Sequence, residues 1–255
     1  MQKITIIGSG NIAWHLKEAI AKSTNYKLSQ LVGRANKPSP YFEEIPVYTN
    51  NIEQLATTDI IIVAVSDAAI ADVAKKLRDT SALVVHTSGS VPISIFEELS
   101  HHGVLYPLQT FTKGRFIDLQ EVPFCIEANT TKNLKEVKKL ASAFSEKIEQ
   151  MDSKMRGKLH FSAVLANNFG NHLLALTESY CIDNNLSFEL LKPLVMETTR
   201  KAFDMGAMEA QTGPARRDDK ETIKKQLAVI DNDQLRQLYK TITNSILTTY
   251  GKEKL

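Results

Sequence analysis

Apolar residues in the first half of the chain come in short β-branched runs, separated by stretches with helical spacing. Residues 3–7 form the first run, and after Gly8-Ser9-Gly10-Asn11-Ile12-Ala13 the residues Ile12, Leu16, Ala19 and Ile20 recur on one helical face. Residues 27–32 read as a second strand, and 47–49 as a short third beyond the connection between Pro38 and Pro46. The unbroken apolar run 60–65 fits a parallel strand buried on both faces, with a helix from 68 to about 77 behind it. Residues 82–85, 104–105, 124–127 and 147–151 predict further strands, with helices over 92–99 and 132–144. Strands alternating with helices in this way predict a doubly wound α/β sheet of the Rossmann type.

From residue 153 onward no strand pattern remains. Helical periodicity covers 156–184, 187–205, 219–230 and 233–250, punctuated by Asn184-Asn185 and Gly213-Pro214. The expected organisation is a dinucleotide-binding domain over 1–152 and an all-helical domain over 153–255. The helix beginning near Arg156 is apolar nearly all round, through Phe161, Val164, Leu165, Phe169, Leu173 and Leu174, which predicts burial. At about 100° per residue, His160, Asn167 and Asn171 fall within one narrow polar stripe. Buried polar groups need partners, and either a substrate or a domain or dimer interface supplies them. Imidazole titrates near neutrality, so His160 is the candidate proton carrier, with Asn167 beside it in the candidate catalytic pair and Asn171 as a substrate contact.

The glycine turn adds chemistry to the first strand and helix. Gly8 permits the tight turn, Gly10 leaves room for a diphosphate, and Ala13 replaces a third glycine while still allowing close packing of helix on strand. The free amides of Ser9, Asn11, Ile12 and their neighbours then face the phosphates at the positive end of the helix dipole. At the end of the second strand stands Arg34, where an NAD site carries an acid, and no acid follows before Glu43. A guanidinium there suits a ribose 2′-phosphate, which favours NADP(H) over NAD; a solvated surface arginine is the alternative. The same residue disfavours an S-adenosylmethionine site. Val65, Ser66 and Asp67 end one buried strand and Thr87 and Ser88 another, so they are placed at the nicotinamide side, although Asp67 could equally cap the next helix.

Composition narrows the classes. The chain has 255 residues, 31 Lys plus Arg against 29 Asp plus Glu, and a formal charge of +2, which gives no support to nucleic-acid or membrane-surface binding. No run reaches the ~20 apolar residues of a membrane span, no secretory leader is read, and the expected compartment is the cytoplasm. Cys125 and Cys181 read as buried reduced thiols, and no His/Cys/Asp spacing suggests a metal. Gln211-Thr212-Gly213-Pro214-Ala215-Arg216-Arg217-Asp218-Asp219 either clamps an anionic substrate group through Arg216 and Arg217 or forms a helix-capping turn. His86, Thr87 and Ser88 with Gln109 and Thr110 place hydroxyls and amides at the strand ends facing the expected nicotinamide, and Gln109 is the candidate substrate contact among them. No G-x-S-x-G elbow surrounds Ser88, which argues against a hydrolase.

Gly8-Ser9-Gly10-Asn11-Ile12-Ala13, Val63-Ala64-Val65-Ser66-Asp67, His86-Thr87-Ser88-Gly89-Ser90, Pro107-Leu108-Gln109-Thr110-Phe111 and Thr212-Gly213-Pro214-Ala215-Arg216-Arg217-Asp218 together resemble a bacterial family. That family joins a Rossmann-like domain to a helical C-terminal domain of unknown function. More distantly, the organisation is similar to the β-hydroxyacid dehydrogenases, the pyrroline-5-carboxylate reductases and the deazaflavin-dependent NADP oxidoreductases. The resemblance implies a small-molecule oxidoreductase whose helical domain forms a homodimer and closes over the nicotinamide. One departure stands out: the β-hydroxyacid dehydrogenases carry a catalytic lysine one turn before an asparagine, and here Ala163 precedes Asn167 and Val164 precedes Asn168. The expectation is therefore an NADP(H)-dependent oxidoreductase that uses His160 instead. A non-catalytic NADP(H)-binding regulator or scaffold is the alternative.

Overall fold

A computed structural model describes residues 1–42 and 44–255; Glu43 lies outside the described residues. Eight strands form one sheet in the order β3-β2-β1-β4-β5-β6-β7-β8. They are β1 (Gln2–Ile7), β2 (Tyr26–Val32), β3 (Tyr48–Thr49), β4 (Ile60–Val63), β5 (Leu83–His86), β6 (His102–Pro107), β7 (Phe124–Ala128) and β8 (Ile148–Gln150). Neighbours run parallel except β6 and β7, which are antiparallel. Helices α1 (Asn11–Lys22), α2 (Asp67–Lys76) and α3 (Thr131–Ser142) supply the crossovers.

The continuous apolar runs make sense once both faces are covered. Ile4, Ile6, Ile60 and Ile62 pack with Ala13, Leu16, Ile20, Val137 and Leu140 in one buried cluster. Their alternates Ile7, Ile61 and Val63 pack with Ile70, Ala74 and Phe96 in a second. Successive strand residues point to opposite faces, so a strand sandwiched between two helical layers must be apolar throughout. The predicted helix over 92–99 is instead a 3-10 turn, Ile93–Phe96. The stretch is short and carries the β-branched residues Val91, Ile93 and Ile95, which disfavours elongation.

The chain divides into two compact units, 1–167 and 168–255. Helix α4 (Ser153–Ala163) belongs to the first, held by one buried charge. Arg156, 1% exposed, forms an ion pair with Glu127 on β7 and donates to the carbonyl of Val91 (2.7 Å) and to Ser153 Oγ (3.1 Å). Glu127 also accepts from the Ser153 amide and hydroxyl, and Asp152 caps the helix by accepting from the Met155 amide at 2.7 Å, so two carboxylates fix its start. Residues Val164–Phe169 then form a π-helical turn, in which the boundary between the units falls.

The second unit is helical: α5 (Gly170–Asp183), α6 (Lys192–Met205), α7 (Ala207–Ala210), α8 (Pro214–Arg217), α9 (Lys220–Ala228) and α10 (Asp233–Thr249). Ala215, Ile223 and Leu247 form its small core, with Tyr239 and Ile246 against them. The predicted burial of the long helix does not hold within one chain. Phe161, Leu165, Phe169, Leu173 and Leu174 are all exposed, because the apolar content of these helices exceeds what the chain covers by itself.

Removing one member of a buried ion pair strands the other without a partner. Arg156→Met is expected to destabilise the protein by about 3 kcal/mol in urea unfolding, and a second change, Glu127→Leu, to recover most of that loss. A single variant no less stable than wild type would show that the pair does not hold α4.

Candidate functional site

The turn between β1 and α1 is built around Gly8. Its φ is +121°, and a Cβ there would stand 2.1 Å from the carbonyl oxygen of Ala64. Only glycine fits, which lets the end of β1 lie against the end of β4. At Gly10 the opposite holds: an added Cβ would meet nothing within 4 Å. Gly10 is the N-cap of α1 and offers no side-chain hydrogen bond, so the first amides of the helix have no capping partner. Ala13 is fully buried against the sheet, the close packing that a third small residue provides.

A cleft of about 430 Å³ opens here along the carboxyl ends of the strands. Of the residues singled out in the sequence, Gly8, Ser9, Gly10, Arg34, Val65 and Ser66 come together in its walls. Gly33 packs against Tyr48, whose hydroxyl donates to the carbonyl of Ala35 at 2.6 Å, and Asn50 donates to Asn36 Oδ1 at 2.9 Å. These bonds shape the loop that carries Arg34. Asn50, Ile52, Asp72 and Lys76 also line the cleft and were missed in the sequence. Because β3 lies beside β2, its C-terminal residues reach the same edge as Arg34, but that order is not visible in a one-dimensional pattern.

The side chains of the other residues expected at the cofactor are engaged by the protein itself or packed away from solvent. Asn11 donates to the carbonyl of Phe111 at 2.8 Å and accepts from the amide of Lys113, and Ile12 packs against the core. Asp67 is the first residue of α2 and accepts a hydrogen bond from the Ser90 hydroxyl, joining the ends of β4 and β5; it is not the cap. Thr87 and Ser88 are buried, and Ser88 Oγ accepts from the amides of Ser90 (3.2 Å) and Val91 (3.0 Å). Gln109 is exposed, and its side-chain carbonyl accepts from Thr110 N at 2.8 Å.

Two histidines flank this edge in different states. His86 is fully buried; its Nδ1 accepts from the Ser88 amide at 3.2 Å, and Nε2 has no partner. Burial, helped by the Arg156 charge, pushes it down to about 3, so it stays neutral and carries no proton near neutral pH. His160 is half-buried, and its Nδ1 lies 3.1 Å from the hydroxyl of Tyr106. Burial and the neighbouring Cys125 thiol push Tyr106 up to about 12, so that hydroxyl stays protonated and can donate to the imidazole. Gly89 leaves room for the pair: a Cβ there would lie 2.6 Å from the Tyr106 ring and 2.7 Å from His160 Nδ1.

The polar stripe of the long helix is altered by the π turn. Residues 164–169 are wound as a π turn, so the regular 100° spacing that aligned Asn167 with His160 does not run unbroken between them. Asn167 and Asn171 are both exposed. Asn171, Arg216 and Arg217 belong to the second unit. There, Arg216 stacks on the Tyr250 ring at 4.0 Å, Arg217 is exposed, and Asp219 caps α9 by accepting from the Thr222 amide. Among the described residues no group of three or more His, Cys, Asp or Glu converges as a metal site, and no helix is long and apolar enough to cross a membrane.

Residues 122–246 match the domain of unknown function DUF2520. No protein with a curated description matches the chain. A structure from Bacteroides fragilis, named as a candidate NADP oxidoreductase, is 33% identical over 97% of this chain and 98% of its own, with a TM-score of 0.90. A Thermotoga maritima protein is 21% identical over 94% of this chain and 99% of its own, with a TM-score of 0.74. Pyrroline carboxylate reductase from Plasmodium falciparum, solved with NADP bound, is 17% identical over 98% and 97%, with a TM-score of 0.59. The last two show the shared fold. The identity and coverage of the Bacteroides protein, together with the domain match, show that the chain belongs to the family of Rossmann-fold proteins carrying DUF2520.

Proposed function

We propose that the chain is an NADP(H)-dependent oxidoreductase acting on a small carbonyl, imine or hydroxy compound. One observation carries this reading: a single cleft holds the uncapped start of a helix, an open Cα face at Gly10 and a guanidinium at Arg34. A dinucleotide with an extra ribose phosphate needs those features together. The Bacteroides relative and the NADP held by the Plasmodium reductase support the assignment.

NADPH, when bound, supplies the hydride; the chain supplies binding, orientation and a proton. The glycine turn holds the diphosphate through backbone amides, and Arg34 meets the 2′-phosphate as a planar fork. Val65 and Ser66 wall the cleft where β4 ends. His160 stands against Gly89 at the end of β5, held by Tyr106. In its protonated form the ring donates from Nδ1 to the Tyr106 oxygen, and its Nε2 proton can pass to a substrate oxygen or nitrogen, leaving a neutral imidazole that Tyr106 still orients. Asn167, exposed in the π turn that follows α4, is the residue proposed to orient the substrate. The buried free thiols Cys125 and Cys181 fit a reducing compartment, the cytoplasm.

The helices point to a homodimer. α6 has no buried residue, and Leu194 (63%), Met196 (65%) and Phe203 (89%) are exposed on more than one of its faces. Large apolar side chains left bare on such a helix are costly in water, and a second copy that buries them resolves the deficit.

Arg34→Glu should weaken NADPH binding by at least about a hundredfold in calorimetry while leaving NADH little changed; equal losses for both cofactors would remove the case for NADP. His160→Ala should cut turnover by about a hundredfold or more, with NADPH affinity retained. The assay follows NADPH absorbance across a panel of aldehydes, keto acids and cyclic imines. Tight binding without consumption over the whole panel would identify a sensor and refute the enzyme. Light scattering should give a dimer mass for the wild type, and Leu194→Asp with Phe203→Asp should yield monomers; a wild-type monomer would overturn the dimer.

A further inference from the structure

The loop after β6 does not run free over the surface. It is tied to the first turns of α1 at successive residues. Asn11 Nδ2 donates to the carbonyl of Phe111 at 2.8 Å, His15 Nε2 lies 3.1 Å from the carbonyl of Thr112, and the amide of Lys113 donates back to Asn11 Oδ1 at 3.4 Å. The His15 and Phe111 rings are in contact, with centroids 4.7 Å apart. Gly114 then turns the chain at a φ of +80°, with Tyr41 filling the space where its Cβ would stand. The result is a strap over the start of the helix, anchored by side chains of that helix.

The strap delivers one charge to one place. Lys113 Nζ donates to the carbonyl oxygen of Ser9 at 3.3 Å and lies 5.7 Å from the centre of the Tyr41 ring. Ser9 is the middle residue of the glycine turn and lines the cleft. An ammonium has three donors, and the Ser9 carbonyl takes one of them. This cation is therefore held next to the turn that leads into the uncapped start of α1, where the helix dipole favours an anion.

We propose that Lys113 is a cofactor-binding residue that places its ammonium on the diphosphate of the bound dinucleotide. The inference rests on the cofactor reading above and adds the residue that supplies formal charge there. The turn itself offers only backbone dipoles, and Arg34 is committed to the ribose end. Because Asn11 and His15 hold the strap in place, little entropy is lost when the ammonium engages the phosphates. The backbone of residues 111–113 thus serves the binding site through a side chain that no glycine-turn pattern contains.

The test is calorimetry on the full chain with two probes: NADPH, and adenosine 2′-monophosphate, which keeps the ribose phosphate and lacks the diphosphate. Lys113→Met preserves the aliphatic stem and removes the charge. It is expected to raise the NADPH dissociation constant about tenfold and to leave adenosine 2′-monophosphate binding at the wild-type value. Lys113→Arg should restore most of the NADPH affinity, which controls for a loss of packing or folding in the methionine variant. The inference is overturned if Lys113→Met binds NADPH as tightly as wild type, or if it loses both probes in equal proportion. Failure of the cofactor reading looks different, since the wild type would then bind neither probe.

Discussion

The approach of Gly8 to the carbonyl of Ala64 is the constraint on which the site depends. Any side chain at Gly8 would force β1 and β4 apart at their carboxyl ends, and α1 would start elsewhere. With no side chain there, the chain leaves β1, turns at positive φ and enters the helix with its amides facing the cleft. A helix that begins without a capping side chain leaves backbone donors unsatisfied unless something else accepts them. Such a helix start, open to the cleft, is suited to accept an anion. Arg34 lines this cleft, and Lys113 is bonded to the carbonyl of Ser9, another of its lining residues.

Ties between strand ends hold the edge together. Asp67 binds the Ser90 hydroxyl across β4 and β5, Ser88 closes the turn that follows β5, and Arg156 binds both β7 and the Val91 carbonyl. A buried charge pair is a poor source of net stability, since desolvation cancels most of the Coulomb gain. What the Arg156 pair does supply is position. It sets where α4 begins, and four residues further on that helix delivers His160 against Gly89 and Tyr106.

Much of this was legible in the sequence because it depends on local rules. Continuous apolar runs gave the buried strands, the glycine spacing gave the β1–α1 turn, and Arg34 lay one strand along from it. What was not legible depends on order in space. Asn50, Asp72 and Lys76 reach the cleft only because β3 and α2 flank the same edge, and Lys113 arrives on a loop about a hundred residues from the turn it serves. The π turn was invisible because residues 164–169 carry no proline or other marker of altered winding, and it interrupts the regular spacing between His160 and Asn167. Apolar composition predicted a buried long helix, and within one chain Phe161, Leu165 and Phe169 are exposed instead. Phe203 and Leu194 stay open as well.

Environment, not residue type, separates the two histidines beside this edge. His86 lies on a strand between two apolar layers, where charging it means desolvating a cation next to Arg156, so it is held neutral and its Nδ1 is committed to the Ser88 amide. Its role is to shape the turn that presents Gly89. His160 comes from a helix outside the sheet, is half open to solvent, and has as its neighbour a phenol that burial keeps protonated. A proton carrier needs access on one side and an orienting hydrogen bond on the other. His160 meets both conditions and His86 neither. The absence of a lysine at Ala163 therefore does not leave the edge without a group able to exchange a proton; that capacity sits one turn earlier in the helix, before the winding changes.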